Sequence, residues 1–297
     1  MALFLEKISR DVFLFDGGIG TQLQASGLPV GDAPEKWNLE RPEIVERVHA
    51  DYAAAGAMAV TTNSFGGSPV KLQSAGLEID AVQLNRRAAE LARSGAGADV
   101  LVAGSVGPSG MMLITEQISP QELGAGFEAQ ARGLVEGGID LFIVETMSDP
   151  EEVKIAIEAI RRVSDLPLIA CMTFESGVRG YRTMMGTDIA AAVKTLIDAR
   201  VDVIGTNCGA GIDQAIDVVT EMAGHSDGPI LAQPNAGLPE LVQGRTVYRE
   251  SPEQMAEKLP GLIAAGARIV GGCCGTTPEH IRRFAAVLSE QHEEWSR

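Results

Sequence analysis

Eight times along this chain a short apolar, β-branched run is followed by a helical pattern, and that alternation constrains the fold more than any other feature. The runs are Val12 to Phe15, Ala59 to Thr62, Val100 to Ala103, Leu141 to Val144, Leu168 to Met172, Val203 to Gly205, Ile230 to Ala232 and Arg268 to Val270. They are nearly continuous in apolar character rather than alternating, as expected of strands buried on both faces of a parallel sheet. The first helical pattern starts near Pro42 and sets Glu43, Glu46, Arg47 and Asp51 against Ile44, Val45, Val48 and Tyr52. The others run from Ile79 to Ser94, Pro120 to Glu136, Pro150 to Val163, Thr187 to Ala199, Ile212 to Ala223, Pro252 to Ala265 and Pro278 to Gln291. Ser119-Pro120, Asp149-Pro150, Ser251-Pro252 and Thr277-Pro278 each place a capping residue before a proline, which is how helices start.

Strand-helix alternation repeated eight times is the arithmetic of an α/β protein of the (β/α)8 TIM-barrel type; a doubly wound open sheet is the competing arrangement. At 297 residues the chain suits one barrel domain spanning 1–297, since such barrels take about 250 residues or more. A chain this long buries roughly three quarters of its unfolded surface and needs no disulfide to fold. No linker or low-complexity tract interrupts the count. Three connections are long: Gly17 to Glu40, Ser105 to Ser119 and Pro234 to Glu250. All three follow the carboxyl end of a strand, the end at which barrel enzymes build their sites.

Forty acidic against 24 basic residues give a net charge of -16, which disfavours nucleic acid and anionic membranes as partners. That acidity bears on solubility and leaves the oligomeric state open. Glu6 and Lys7 interrupt what would be the apolar region of a signal peptide, and no apolar run reaches about 18 residues. A soluble, cytoplasmic protein with reduced cysteines is the expectation.

Of the four cysteines, Cys208 closes the run from Val203, and Cys273 with Cys274 closes the run from Ile269. In a barrel the ends of strands six and eight face one mouth, so residues 65 positions apart can converge there. Three thiolates with a free position describe a catalytic rather than a structural zinc site. Adjacent residues point to opposite faces of a regular strand, so both could bind one ion only where the backbone turns; Gly271, Gly272 and Gly275 would allow that. A vicinal disulfide and a pair of inert buried thiols are the alternatives. Cys171 lies within an apolar run and is expected to be core. His49, His225, His280 and His292 read as surface or capping residues rather than ligands.

Six segments carry a resemblance: Asp16-Gly17-Gly18-Ile19-Gly20-Thr21, Pro34-Glu35-Lys36-Trp37-Asn38-Leu39, Thr62-Asn63-Ser64-Phe65-Gly66, Gly104-Ser105-Val106-Gly107-Pro108, Asn207-Cys208-Gly209, and Gly271-Gly272-Cys273-Cys274-Gly275 running on through Ile281. From about residue 10 to residue 290 the chain resembles the homocysteine S-methyltransferase family. That family includes the homocysteine-binding module of cobalamin-dependent methionine synthase and the betaine- and S-methylmethionine-homocysteine methyltransferases. The resemblance implies one zinc ion held by Cys208, Cys273 and Cys274, with the Asn235 side-chain oxygen in the fourth position until substrate displaces it. It also implies that Asp16 and Glu145 lie near the homocysteine amino group. Backbone amides of Gly18, Gly20 and Thr21, together with Ser105, would hold the carboxylate.

Elementary chemistry agrees, because an amino acid zwitterion needs acidic groups for its ammonium and N–H donors for its carboxylate. The plainer readings are a turn residue for Asp16 and a buried hydrogen-bonding partner for Glu145. A neutral thiol ionises only above about pH 8, and zinc binding deprotonates it. The expected reaction is methyl transfer to the homocysteine thiolate, giving methionine. Betaine users hold a quaternary ammonium with aromatic residues; here Gly66 and Thr146 stand where aromatics would help, and Trp37 is the aromatic expected near the mouth. A chain of this length is expected to lack cobalamin- and folate-binding domains. The donor is therefore expected to be a separate methylcorrinoid protein, methylcobalamin or a small sulfonium such as S-methylmethionine, with betaine or dimethylsulfoniopropionate as the alternative. A non-catalytic zinc- or thiol-binding barrel subunit is a reading of another class. A Schiff-base lyase is disfavoured because Lys154 and Lys194 fall in helices.

Overall fold

A computed structural model describes residues 2–242 and 245–295, with side chains from residue 4 to 242 and from 246 to 290. Eight parallel strands form one sheet: β1 (Phe13–Leu14), β2 (Ala59–Thr61), β3 (Leu101–Val106), β4 (Leu141–Met147), β5 (Leu168–Met172), β6 (Val203–Cys208), β7 (Ile230–Pro234) and β8 (Ala267–Val270). Each pairs with its sequence neighbour, β8 returns to β1, and a parallel bridge between Phe15 and Ala59 closes the ring. This is the (β/α)8 barrel, and the open-sheet alternative falls away.

The outer helices are α1 (Pro42–Ala54), α2 (Ala81–Ala96), α3 (Pro120–Glu136), α4 (Pro150–Val163), α5 (Ile189–Asp198), α6 (Ile212–Ala223), α7 (Pro252–Ala264) and α8 (Pro278–Trp295). α3 and α7 start on full capping boxes, Ser119 with Glu122 and Ser251 with Gln254, each followed by proline. Those two caps are why the sequence reading located these starts to the residue.

β3, β4 and β6 each run three residues beyond the apolar stretches read from the sequence, taking in Ser105, Glu145 with Thr146, and Asn207 with Cys208. Ser105, Glu145, Thr146 and Asn207 are polar because they belong to the top layer of the barrel, where their side chains bond to one another. Below them Phe13, Phe15, Ile143, Ile169, Leu231 and Ile269 fill the interior. A helix that the periodicity did not single out, Ala2–Arg10, closes the bottom; its Phe4 and Ile8 join the interior cluster, and Phe4 meets Phe13 edge-on at 5.4 Å. Two antiparallel hairpins, Glu175–Gly177 with Gly180–Arg182 and Glu240–Val242 with Arg245–Val247, rise from the loops after β5 and β7.

One histidine assignment needs revision. His49 is fully buried in α1 with neither ring nitrogen hydrogen-bonded, so it is a core residue and not a surface one. His280 is a cap, accepting from the Thr277 N–H at 3.1 Å. His225 is exposed, and the His292 side chain lies outside the described residues. Among the described residues, no helix is long and apolar enough to cross a membrane.

Candidate active site

Cys208 ends β6, and Cys273 with Cys274 follows β8. Their sulfurs lie within 4.8 Å of one another, with Cys208 Sγ 3.1 Å from Cys273 Sγ. Two backbone hydrogen bonds pin the adjacent pair to the loop after β7: the Cys273 N–H donates to Pro234 O at 2.9 Å, and the Ala236 N–H donates to Cys274 O at 3.0 Å. The strand has ended, and the chain turns through Gly275 at φ 83°, so neighbouring residues can face one point. Gly271 and Gly272 are not left-handed; at Gly272 a Cβ would strike Thr276 Oγ1 at 2.3 Å, so space rather than backbone freedom requires glycine there. Cys171 is apart from this group, fully buried inside the barrel where burial pushes its thiol up, and it is the packing residue expected.

Three thiols this close cannot all ionise without a cation. Hydrogen bonds from Cys208 and Cys273 drive Cys274 down to about 3, and a Tyr248 hydroxyl bond adds to this. Cys273 is raised by its bonds to Cys208 and Cys274 and by burial. For Cys208 the bond with Cys273 lowers the thiol, but its bond with Cys274 and its burial prevail and raise it. One negative charge shared by three sulfurs is the state such a cluster takes when nothing positive sits among them.

Asn235 follows β7 and is buried. Its Nδ2 donates to Gly209 O at 2.8 Å while Oδ1 is buried without a partner. An orphaned buried amide oxygen costs stability unless something comes to meet it, and beside three sulfurs a cation is the fitting visitor. The donor set of three soft thiols and one amide oxygen suits zinc.

Beside the cluster opens a cavity of about 360 Å³ that Glu145, Thr146, Ser105, Gln233, Phe65 and the turn Gly17 to Thr21 help to line. Glu145 Oε1 accepts from Ser105 Oγ at 2.6 Å and Oε2 accepts from Asn207 Nδ2 at 3.3 Å. Burial, helped by the Cys274 thiolate, raises this carboxyl to about 7 against the lowering effect of Ser105. Asp16 is completely buried behind Thr61, whose N–H (2.7 Å) and hydroxyl (3.1 Å) it accepts, and burial holds its carboxyl well above the usual range. Thr61, which binds the Asp16 carboxylate, lines the cavity.

The Gly-rich turn proves to be the start of a short helix, Ile19–Ala25, with Gly18 at its N-cap and no side chain capping it. The Gly18 N–H already donates to Thr276 Oγ1 at 3.1 Å, so the amides facing the cavity are those of Ile19, Gly20 and Thr21, which line it. Trp37 is 6% exposed, packs in the helix layer under the Arg41 guanidinium 5.8 Å from its ring, and is core. Phe65 is the aromatic at the cavity. Sequence reading singled out neither Tyr248 nor Gln233; a polar residue at the end of an apolar strand was the available signal for Gln233.

The homocysteine S-methyltransferase family model matches residues 13–288. The chain belongs to this family. It is 33% identical to methionine synthase of Mycobacterium tuberculosis and 32% identical to that of Mycobacterium leprae, in both cases over 96% of this chain. It spans about a quarter of the length of these relatives, 25% in both cases. Among solved structures it resembles the metallated form of the Escherichia coli homocysteine methyltransferase MmuM, with a TM-score of 0.79, 28% identity, and coverage of 96% of this chain and 99% of that one. A methyltransferase of Methanosarcina mazei, at 13% identity and TM-score 0.61, shares the fold. Family membership agrees with the cluster of Cys208, Cys273 and Cys274 at the barrel mouth.

Proposed function

We propose that this chain is a zinc-dependent methyltransferase that methylates the sulfur of L-homocysteine to give methionine. The observation that carries the reading is the three-sulfur cluster opening on a cavity walled by Glu145 and an uncapped helix start. Cys208, Cys273 and Cys274 would hold the zinc, with Asn235 Oδ1 as fourth ligand in the absence of substrate. Bound there, zinc would keep the substrate sulfur ionised near neutral pH. Glu145 would accept from the substrate ammonium. The amides of Gly20 and Thr21 at the helix start would donate to its carboxylate, where the helix dipole favours an anion. Ser105 would hold Glu145 in place rather than touch the carboxylate, because its hydroxyl is already committed. Asp16, behind Thr61, would act on the ammonium through its charge. In the transfer the sulfur lone pair forms the new C–S bond while the bond from methyl to its donor breaks, the pair leaving with the donor. Three reduced thiols require a reducing compartment, for which the cytoplasm is the fitting location.

The donor would be a methylcorrinoid carried by a separate protein or free methylcobalamin, or a small sulfonium such as S-methylmethionine. Met112, Ile114, Met184, Leu238 and Leu241 stand exposed on the loops around the mouth, which suits a macromolecular carrier. Phe65 alone among aromatic residues lines the cavity, too few for a quaternary ammonium cage, so betaine is the weaker choice.

The test is turnover of zinc-loaded protein with homocysteine and, in turn, S-methylmethionine, betaine, dimethylsulfoniopropionate and methylcobalamin. Methionine formed with one of these names the donor. Zinc binding with no methyl transfer to any thiol, with a corrinoid protein also supplied, would instead support a non-catalytic zinc-binding barrel. Cys273→Ala should lose zinc and activity together, and stoichiometric zinc retained by that variant would sink the three-ligand assignment.

A further inference from the structure

Gln233 sits at the top of β7, in register with Asn207 on β6. Paired residues of parallel neighbours point the same way, so Gln233 faces the mouth as Asn207 does. It is 4% exposed and lines the same cavity as Glu145, yet its Oε1 is buried with no hydrogen-bond partner. On the β8 side it meets Gly271, where a Cβ would lie 3.2 Å from Gln233 Nε2 and 2.9 Å from the Asp16 carbonyl. The amide is thus packed in place by a position that admits no side chain, and its oxygen is left for something that enters the cavity.

The visitor's chemistry follows from what surrounds that oxygen. An amide oxygen can only accept, so it needs a donor. A substrate ammonium carries three N–H donors and seeks three acceptors. Glu145 supplies one at the cavity wall, but both oxygens of Asp16 face Thr61 hydrogen bonds. We infer that Gln233 Oε1 accepts a hydrogen bond from the substrate ammonium, making Gln233 a positioning residue for amino acid thiols beside Glu145. This rests on the homocysteine reading and names a contact that reading did not contain. Being neutral, the amide adds an acceptor without placing a third carboxylate near the thiolates.

The experiment compares binding of L-homocysteine and of 4-mercaptobutanoate, the same thiol acid without the amino group, to zinc-loaded full-length protein by calorimetry. Gln233→Leu should weaken homocysteine about tenfold or more and leave 4-mercaptobutanoate within about twofold, since a hydrogen bond to a charged group is what is lost. Gln233→Glu keeps the shape and an acceptor oxygen, and should bind homocysteine within about threefold of wild type while weakening 4-mercaptobutanoate. Equal weakening of both thiols by Gln233→Leu, or none, overturns the inference, as does a tenfold loss of homocysteine in Gln233→Glu. Wild-type protein that takes up neither thiol overturns the homocysteine reading itself and the Gln233 contact with it.

Discussion

Asn207 and Thr146 hold one another through two hydrogen bonds of equal length: the Thr146 N–H donates to Asn207 Oδ1 at 2.7 Å, and Asn207 Nδ2 donates to Thr146 Oγ1 at 2.7 Å. The clasp joins the end of β4 to the end of β6. Thr146 stands at φ 60° and Cys208 at φ 64°, both in the left-handed region where a side chain costs about 1–3 kcal/mol. Asn207 thus sits between two strained residues, one next to Glu145 and the other a sulfur of the cluster. The same Nδ2 also reaches Glu145 Oε2 at 3.3 Å, so one amide sets the carboxylate and the thiol in a fixed relation.

Asn207→Ala would release both strained positions. Zinc affinity should fall about 10- to 100-fold, the range that outer partners of metal ligands command. A competition titration against a chromophoric chelator reads it directly. Wild-type affinity in this variant would show that Cys208 is held without the clasp.

Glu145 carries an opposing demand, since its folded carboxyl is raised to about 7 from an ordinary 4.5. A raised folded value contributes stability that is fully present below pH 4.5 and lost as pH rises through about 7. Glu145→Gln removes that loss. Zinc-free Glu145→Gln should gain stability over wild type by roughly 2–3 kcal/mol more at pH 8 than at pH 5, because each tenfold change in proton affinity is worth about 1.4 kcal/mol. The same variant should bind homocysteine at least about tenfold more weakly, which urea titrations and calorimetry test separately. A stability difference independent of pH would mean that Glu145 is ionised at no cost.

What the sequence made legible divides along the barrel axis. Below the mouth, apolar runs and cap-proline starts located Leu168–Met172 and Pro150–Val163 to the residue, because burial on both faces and N-terminal capping leave a local trace. At the mouth that trace ends. Ser105, Glu145 and Asn207 are strand residues whose polar character reads as loop, since their partners lie about 40 to 62 positions away along the chain. The cysteines were found because thiols at strand ends are rare enough to stand out, and the family motif gave their role. Gln233 and Tyr248 belong to ordinary residue types, and only the closed ring brings them to the cavity and to Cys274. The depth of Asp16, fully buried against Thr61, is a further feature that spacing does not encode.

His49 provides a measurement independent of the site. Burial lowers its imidazole to about 4 from 6.5, and neither nitrogen is hydrogen-bonded. A depressed histidine favours the fold above pH 6.5, and that contribution is lost as pH falls towards 4, because only the unfolded chain takes up the proton. The penalty at low pH should be roughly 3 kcal/mol. His49→Leu should therefore raise the melting temperature over wild type more at pH 5 than at pH 7.5. An increment that is the same at both values would place a hydrogen-bond partner on the ring.

Gly18 tests how tightly the carboxylate and metal ends of the cavity are coupled. Its backbone is at an ordinary φ of -67°, so conformational freedom does not require glycine here. Space does: a Cβ would lie 2.5 Å from the Cys273 carbonyl oxygen, a backbone atom that cannot swing aside. That carbonyl also accepts from the Thr276 hydroxyl at 2.7 Å, and the same hydroxyl receives the Gly18 N–H at 3.1 Å. Gly18→Ala must push the helix start away from the turn that carries Cys273 and Cys274, disturbing both ends of the cavity at once. The expected result is a loss of about 1–3 kcal/mol in stability, as overpacking commonly costs, with homocysteine binding and zinc affinity reduced together. If Gly18→Ala weakens homocysteine while zinc affinity stays at the wild-type value, the turn at Cys273 does not depend on the Gly18 contact and the two ends of the cavity are independent.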